Sequence, residues 1–264
     1  MGHNGRVIYM KIGAQLYTVR MFAQNERDLG RTLEKIAGMG YDTVQVSGIG
    51  SIAPQKVKNL CDQNGLKIVL THNPEHRFLN GVEGLIEEHQ LYGAKYIGLG
   101  MMADRYRTPD MFDDFFRDFE EPLQKIHDAG MLFMYHNHAL EFGRLKDGRV
   151  MMDVMLERFP AEMMGITADT YWMQFAGVDV NDWLMRHADR LPCVHLKDMI
   201  PDGFTAKMAA VGSGNMNFAA ILDTLKHNGV TEYALVEQDD CYGASPFDCL
   251  KSSLDYVNHV LGGT

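Results

Sequence analysis

The chain is poor in the features that mark a disulfide scaffold, a zinc knuckle or a membrane protein. It has four cysteines among 264 residues, and none of them forms a CxxC pair. Neither a cysteine-based zinc site nor a disulfide framework is therefore indicated. No apolar run approaches the length of a membrane span, and the N-terminus lacks the apolar centre of a signal peptide. We therefore expect a cytoplasmic protein without a membrane partner.

Positive charge is also scarce. Lys and Arg number 25 against 35 Asp and Glu, which gives a formal net charge of −10. A broad basic surface for nucleic acid is not expected from this balance. The hydrophobic content of 46% is typical of a soluble globular domain with a large core. We interpret residues 1–10 as an N-terminal extension or tag-like segment and residues 11–264 as a single domain.

One local pattern recurs along the chain: a helical stretch, then a glycine, then a short apolar run. Glycine suits the residue after a helix because it adopts the left-handed conformation without strain, and the apolar run predicts a buried strand. The pattern occurs at 37–48, 61–72, 92–100, 127–138 and 227–237. Together with Lys11–Val19, Gly165–Trp172 and Cys193–Met199, these segments give eight predicted strands.

Stretches with helical apolar spacing accompany these strands. They lie at 26–38, 53–64, 81–92, 109–129, 149–159, 179–190, 215–228 and 245–261. Strands that alternate with helices imply parallel pairing through crossover connections. Eight such units predict an α/β fold, a single (β/α)8 TIM barrel. A doubly wound open sheet is the alternative, although no GxGxxG motif follows the first strand.

Polar residues stand at the predicted ends of several strands. Strand residues of a barrel alternate between the interior and the helix layer, and active sites lie at the C-terminal strand ends. The alternation predicts that the helices contact Phe133, Tyr135, Ile166, Ala168, Val194, Leu196, Ala234 and Val236. It predicts inward positions for His136, His138, Asp169, Tyr171, His195, Lys197 and Glu237. On strand three, His72 is in phase with Ile68 and Leu70.

Burying several carboxylates and imidazoles together is costly unless a cation neutralises them. A mixed imidazole and carboxylate set suits a divalent ion such as zinc or manganese. Singly, each residue also has an ordinary structural interpretation: Asp169 or Asp198 could cap a helix, Lys197 could pair with a carboxylate, and Glu141 could be a solvated loop residue. We interpret the remaining histidines in loops or helices as surface residues, namely His76, His89, His127, His187, His227 and His259.

Four motifs follow one another on predicted strands five to eight. They are YHNHALEF at 135–142, ADTYWM at 168–173, VHLKDM at 194–199 and LVEQD at 235–239. In this order they resemble the xylose-isomerase-like barrel superfamily, which includes sugar isomerases and epimerases, inosose dehydratases and endonuclease IV. The resemblance covers nearly the whole chain. It implies one metal ligand from each strand, at His136, Asp169, His195 and Glu237, although the family usually has a glutamate in place of His136.

The resemblance implies a sugar isomerase or epimerase that depends on one divalent ion, Mn²⁺, Zn²⁺ or Co²⁺, and acts on a keto-sugar or related polyol through an enediolate. Glu237 is the favoured general base, His136 or His138 the opposing acid, and Lys197 a positive charge near the oxyanion. The residues expected to contact the sugar are Tyr17, Gln45, His72, His138, Glu141 and Trp172.

Two other functions stay open. Because a histidine replaces the strand-five glutamate, the chain could be a dehydratase or lyase acting on a keto-inositol or a 3-keto-glycoside. A barrel that binds a sugar without catalysis is the alternative of another class, and the intact Asp169, His195 and Glu237 speak against it. The expected partner is a small sugar rather than a nucleic acid, and a homo-oligomer is compatible with the sequence.

Overall fold

Eight parallel strands close into a barrel in the computed structural model of the chain, which describes residues 10–108 and 111–262. The strands are β1 (Lys11–Gln15), β2 (Thr43–Val46), β3 (Lys67–Asn73), β4 (Tyr96–Leu99), β5 (Leu132–His136), β6 (Met164–Asp169), β7 (Cys193–Leu196), β8 (Asp198–Asp202), β9 (Thr205–Ala209) and β10 (Tyr233–Val236). β8 and β9 pair only with each other, as an antiparallel hairpin. The barrel order is β1-β10-β7-β6-β5-β4-β3-β2. The predicted (β/α)8 barrel is confirmed.

Helices surround the barrel and connect its strands. They are α1 (Glu26–Met39), α2 (Pro54–Gln63), α3 (Glu75–Leu79), α4 (Val82–Tyr92), α5 (Phe112–Asp128), α6 (Met151–Arg158), α7 (Thr170–Phe175), α8 (Val180–Arg186), α9 (Phe218–Asn228) and α10 (Pro246–Gly262). α1 shows why such helices begin and end where they do: Asn25 caps its first turn, and Gly40, with φ of 105°, ends it. Within the described residues, no helix is long and apolar enough to cross a membrane.

The alternation of side chains along the strands separates two apolar layers. The large layer, between strands and helices, contains all eight residues that the sequence places there, including Phe133 and Val194. A smaller cluster fills the barrel interior and consists of Val69, Leu70, Tyr96, Met134, Cys193 and Leu235. Two positions further along their strands, Met134, Cys193 and Leu235 are followed by His136, His195 and Glu237. The polar residues therefore gather above a filled interior, at the C-terminal mouth of the barrel.

Three predicted strands are too long. The seventh ends at Leu196, and Asp198 and Met199 belong to the hairpin of β8 and β9. The first ends at Gln15, and Leu16–Phe22 forms a 3₁₀ helix. The sixth ends at Asp169, whose side chain accepts a hydrogen bond from the backbone N–H of Trp172 and thereby caps α7. The prediction that Tyr171 is an inward strand residue was therefore wrong, since Tyr171 lies in the first turn of α7.

Strand three departs from simple alternation. Ile68 belongs to the helix-facing layer, whereas Val69 and Leu70 both lie in the barrel interior. The pairing of β3 with β2 shifts register between Val44 and Gln45, which accounts for the two consecutive inward residues. His72 is thus in phase with Leu70 but not with Ile68.

Two further expectations concern single segments. His89, interpreted as a surface residue, is fully buried in α4. Its Nε2 lies 2.8 Å from the hydroxyl of Thr71, and its Nδ1 lies 2.7 Å from the carbonyl oxygen of Leu85. The N-terminal extension lies outside the described residues except for Met10, which packs against the core.

Candidate metal centre and active site

Four side chains from four adjacent strands converge at the mouth of the barrel. His136 ends β5, Asp169 ends β6, His195 lies on β7, and Glu237 directly follows β10. All four are buried, and one potential ligand atom from each lies within 4.8 Å of the others. The structure therefore brings together the four residues that the sequence predicts as metal ligands.

Hydrogen bonds to the far side of each imidazole orient the two histidines. Nδ1 of His136 donates to the carbonyl oxygen of Gly100 at 2.9 Å, and Nε2 of His195 donates to Oε1 of Gln45 at 2.7 Å. The protonated nitrogen of each ring is thereby directed away from the cluster, a common arrangement for metal-binding histidines. Nε2 of His136 then lies 3.3 Å from Oδ2 of Asp169, and Nδ1 of His195 lies 2.9 Å from Oε2 of Glu237.

Asp169 caps a helix with one carboxylate oxygen and turns the other to the cluster, so the two roles that the sequence left as alternatives are compatible. Its Oδ1 accepts the backbone N–H of Trp172 at 3.0 Å and caps α7, while its Oδ2 faces the cluster. The backbone N–H of Asp169 donates to Oδ1 of Asn137 at 2.8 Å, which fixes the end of β6 against β5. The strand end and the helix start therefore both hold the carboxylate in place.

Lys197 places one ammonium group among three carboxylates. Its Nζ lies 3.2 Å from Asp169, 3.0 Å from Glu237 and 2.8 Å from Asp239. Lys197 is only 1% exposed. If each acid is ionised, the three carboxylates exceed the ammonium by two negative charges, which is the charge that a divalent cation would offset.

The mutual proximity of these charges outweighs the cost of their burial. Burial alone would raise the pKa of the Asp169 and Glu237 carboxyl groups, but Lys197 and the neighbouring imidazoles hold both pKa values well below their usual range. Burial would lower the pKa of His195, but Glu237 and Asp169 raise it to about 9. Burial, with the repulsion of His136, lowers the pKa of His138 to about 3.

The residues fit a divalent metal ion. Two imidazoles and two carboxylates form a donor set typical of zinc or manganese. Nδ1 of His195 and Oε2 of Glu237 are buried and close, yet neither makes a properly aligned hydrogen bond. Unsatisfied buried polar atoms are costly, and coordination to a metal would satisfy both.

A cavity of about 870 Å³ opens above the cluster. His136, Lys197 and Glu237 form part of its wall. Four of the residues predicted to contact the sugar also line it: Tyr17, His72, His138 and Trp172. Three ring nitrogens at this wall are buried without a hydrogen-bond partner, namely His72 Nε2, His138 Nδ1 and Trp172 Nε1. The rings that carry these atoms line the cavity, so a bound sugar would contact the rings.

Two residues predicted to contact the substrate are placed elsewhere. Gln45 is fully buried behind His195, which it orients. Glu141 is also fully buried, and its carboxylate accepts hydrogen bonds from the Tyr135 hydroxyl at 2.6 Å and from the backbone N–H of His138 at 2.8 Å. Glu141 therefore supports the loop that carries His138. The structure does not bring the Glu141 carboxylate to the cluster of predicted metal ligands.

Two residues of the site went unnoticed in the sequence. Asp239 lines the cavity and pairs with Lys197, and its position two residues after Glu237 was the available signal, because alternate residues of an extended chain face the same side. Asn137 lies between the two histidines of YHNHALEF. Its hydrogen bond to the backbone of Asp169 depends on the pairing of β5 with β6, which no local pattern reveals.

A family model and a curated relative each match most of the chain. The family model described as "Xylose isomerase-like TIM barrel" matches residues 33–256. An inosose dehydratase of Geobacillus kaustophilus (strain HTA426) is 22% identical over 270 residues, covering 88% of this chain and 87% of the relative.

Solved structures agree in fold. A sugar phosphate isomerase/epimerase from Parabacteroides distasonis ATCC 8503 superposes with a TM-score of 0.79 at 21% identity, covering 97% of this chain and 95% of that one. The IOLI protein with a bound zinc atom superposes with a TM-score of 0.71 at 13% identity, covering 96% of this chain and 99% of that one.

Proposed function

Because the chain belongs to the family of xylose isomerase-like TIM barrels, we propose that it is a metal-dependent enzyme that isomerises or epimerises a keto-sugar or related polyol. The observation that carries the proposal is the cluster of His136, Asp169, His195 and Glu237, whose ligand atoms lie within 4.8 Å of one another beneath a large cavity. A family fold alone would not support this chemistry, since similar barrels have many functions.

The proposed metal ligands are these four residues, and Mn²⁺, Zn²⁺ or Co²⁺ suits their donor atoms. When bound, the ion acts as a Lewis acid that stabilises negative charge on the substrate oxygens. The ammonium of Lys197, 3.0 Å from Glu237, adds a second positive charge at the same wall. Both effects favour an enediolate over the neutral sugar.

Glu237 is the proposed general base. It lines the cavity, and its pKa lies well below the usual range because Lys197 and His195 outweigh the effect of burial. The carboxylate is therefore ionised and ready to accept a proton from the carbon next to a carbonyl. Return of that proton to the neighbouring carbon isomerises the sugar, and protonation on the other face epimerises it.

The sequence names His136 or His138 as the acid that acts opposite Glu237. Both ring nitrogens of His136 have partners: Nδ1 donates to the carbonyl oxygen of Gly100, and Nε2 faces Oδ2 of Asp169 in the cluster of predicted ligands. The same ring cannot bind a metal and exchange a proton at one nitrogen. The ring of His138 lines the cavity and is not one of the four clustered residues, so we propose His138 for the proton exchange and His136 for the metal.

Elimination is the second candidate. The presence of a histidine at the strand-five position and the similarity to an inosose dehydratase favour a dehydratase or lyase acting on a keto-inositol or 3-keto-glycoside. In this reaction Glu237 would remove the same proton, but the β-hydroxyl or alkoxide would leave before the proton returned. The same wall of the cavity serves either outcome.

Incubation of the manganese-supplemented enzyme with ketoses and 3-keto-sugars in deuterated water tests the proposal. Deuterium incorporation without loss of hydroxyl groups supports isomerisation or epimerisation. Release of water or an aglycone, with an enone product, supports elimination. If neither occurs while metal is bound, a barrel that binds a sugar without catalysis becomes the better account. We further propose a small sugar as the only class of partner, with no nucleic acid or membrane. Cytoplasmic location and assembly into a homo-oligomer stay predictions.

A further inference from the structure

The cavity is larger than one sugar ring requires. Its volume of about 870 Å³ lies near the upper end of the roughly 300–1,000 Å³ that pockets for drug-sized ligands occupy. His136 and Glu237, with the rings of His72, His138 and Trp172, account for only part of its wall. The substrate therefore has room for a second group beyond the reacting sugar.

Among the described residues that line the cavity, the fixed cations are already committed. Lys197 is held by three carboxylates. Arg107 donates to the carbonyl oxygen of Met102 from Nε at 2.9 Å and from Nη2 at 2.6 Å, and its Nη1 pairs with Asp104. The other basic side chains of the lining are the imidazoles of His72, His136 and His138 and that of His76, which is exposed at the rim. Glu237 and Asp239 add negative charge, so the wall offers little to a phosphate group.

The place where TIM barrels often bind phosphate is filled by the protein itself. Such sites form in the loops after the seventh and eighth strands of the barrel, from backbone N–H groups near a helix start. These strands are β7 and β10 here. The first residue of β8, Asp198, follows β7 closely, and its carboxylate is buried. It accepts hydrogen bonds from the backbone N–H groups of Gly212 and Gly214 at 3.0 Å and of Met216 at 3.2 Å. Asp198 also leaves no space for a side chain at Gly214. An internal anion thus takes the donors that a substrate phosphate would need.

One part of the mouth carries several apolar side chains among polar ones. The segments that follow β3, β4 and β5 contribute Pro74, Met101, Met102, Ala103, Ala139 and Leu140 to the wall. These strands are adjacent to one another, and β3 and β4 lie across the barrel from β7 and β10, which precede Lys197 and Glu237. Met101 is 47% exposed and lines the cavity, so its side chain is accessible to a ligand there.

We propose that the substrate is a neutral, non-phosphorylated sugar that carries a second, uncharged and mainly apolar group, bound against the wall formed after β3, β4 and β5. This inference rests on the proposed function, because it assumes that the sugar itself sits over the metal cluster. It narrows the substrate to glycoside-like compounds and excludes sugar phosphates.

Binding of two matched pairs of probes to the manganese-supplemented protein, measured by calorimetry, tests the proposal. Phenyl β-D-glucopyranoside is compared with methyl β-D-glucopyranoside, and D-fructose 6-phosphate with D-fructose. We expect the phenyl glycoside to bind at least about tenfold more tightly than the methyl glycoside, as is typical of a filled apolar pocket. We expect the phosphate to bind no more tightly than fructose.

Met101→Glu places a charge on the apolar wall at an exposed position. It should weaken binding of the phenyl glycoside by about tenfold and leave the methyl glycoside within about twofold. Met185→Glu is the matched control, since Met185 is 62% exposed on α8 and does not line the cavity. It should change neither affinity.

Equal affinities for the two glycosides, no binding of either, or tighter binding of the phosphate would each overturn the proposal. Deuterium exchange distinguishes a failure of this inference from a failure of the proposed function. Exchange into fructose 6-phosphate with tight binding would leave the function standing and remove the inference. Glycoside binding in the expected order, with no exchange into any keto-sugar, would leave the ligand class standing and remove the function.

Discussion

Nε2 of His195 donates a hydrogen bond to Oε1 of Gln45 at 2.7 Å, and both side chains are fully buried. Gln45 comes from β2 and His195 from β7, so the contact crosses the barrel interior. It directs Nδ1 of His195 towards Glu237. A fully buried residue outside the cavity lining therefore sets the orientation of a proposed metal ligand.

Replacing Gln45 should weaken metal binding. Gln45→Met keeps the length of the side chain but removes the acceptor, so the imidazole of His195 is no longer fixed. We expect a loss of about 10–100-fold in affinity for Mn²⁺, as is typical when a residue supporting a ligand is removed. Equilibrium dialysis measures the affinity, and Gln55→Met on the exposed face of α2 is the control. An unchanged affinity would show that Gln45 does not position His195.

Replacing Glu237 tests its double role. Glu237→Gln preserves the size but removes the basic carboxylate and weakens a metal ligand. Loss of turnover should therefore exceed the roughly 10²–10⁴-fold that a general base alone contributes. Steady-state kinetics and metal content are measured together, with Glu157→Gln on the exposed surface as control. Turnover near that of the wild type on the true substrate would exclude Glu237 as the base.

Lys197→Met should destabilise the metal-free protein more than the metal-bound protein. The substitution leaves Asp169, Glu237 and Asp239 without their shared ammonium. Removing one partner of a buried ion pair typically costs about 3–5 kcal/mol. Urea unfolding measures the free energy of unfolding with and without Mn²⁺, and the ion should restore part of the loss. An equal loss in both states would mean that the metal does not share these carboxylates.

His89 should make stability depend on pH. Burial lowers its pKa below the ordinary value of 6.5, so the unfolded chain binds a proton at a pH where the folded protein does not. The contribution of neutral His89 to the free energy of unfolding is fully present above pH 6.5. It is lost as the pH falls from 6.5 through the lowered pKa of His89 in the folded protein. Between these two pKa values, His89→Gln should reduce the slope of the free energy of unfolding against pH by up to about 1.4 kcal/mol per pH unit.

Urea unfolding between pH 5 and 7.5 measures this slope. His259→Gln, at an exposed position of α10, is the control for loss of a histidine. The same slope in His89→Gln and in the wild type would mean that His89 is protonated in the folded protein or that its network tolerates the charge.

The inward-facing residues were predicted most accurately where buried strand residues alternate strictly between the two faces of the sheet. Because Cys193, His195 and Lys197 alternate with Val194 and Leu196, the inward positions at β7 follow directly from the pleat. The same reasoning failed for Tyr171, because the carboxylate of Asp169 starts a helix at that point. It also failed at Ile68, where a register shift moves the chain by one residue.

Contacts between distant segments could not be predicted. The hairpin of β8 and β9 lies within the stretch between strand seven and the following helix, and its alternation is short and interrupted by Pro201. The burial of His89 depends on partners from β3 and its own helix. The pairing of Gln45 with His195 joins residues 150 positions apart. These relations depend on the closed barrel rather than on local sequence.

Crystallographic location of bound manganese tests the metal centre most directly. Crystals of the protein grown or soaked with Mn²⁺ should show one anomalous peak per chain, coordinated by Nε2 of His136, Oδ2 of Asp169, Nδ1 of His195 and the Glu237 carboxylate. Ligand distances should be about 2.0–2.3 Å. A structure at saturating Mn²⁺ with no peak there, and with Lys197 still bridging Asp169, Glu237 and Asp239, would contradict the account.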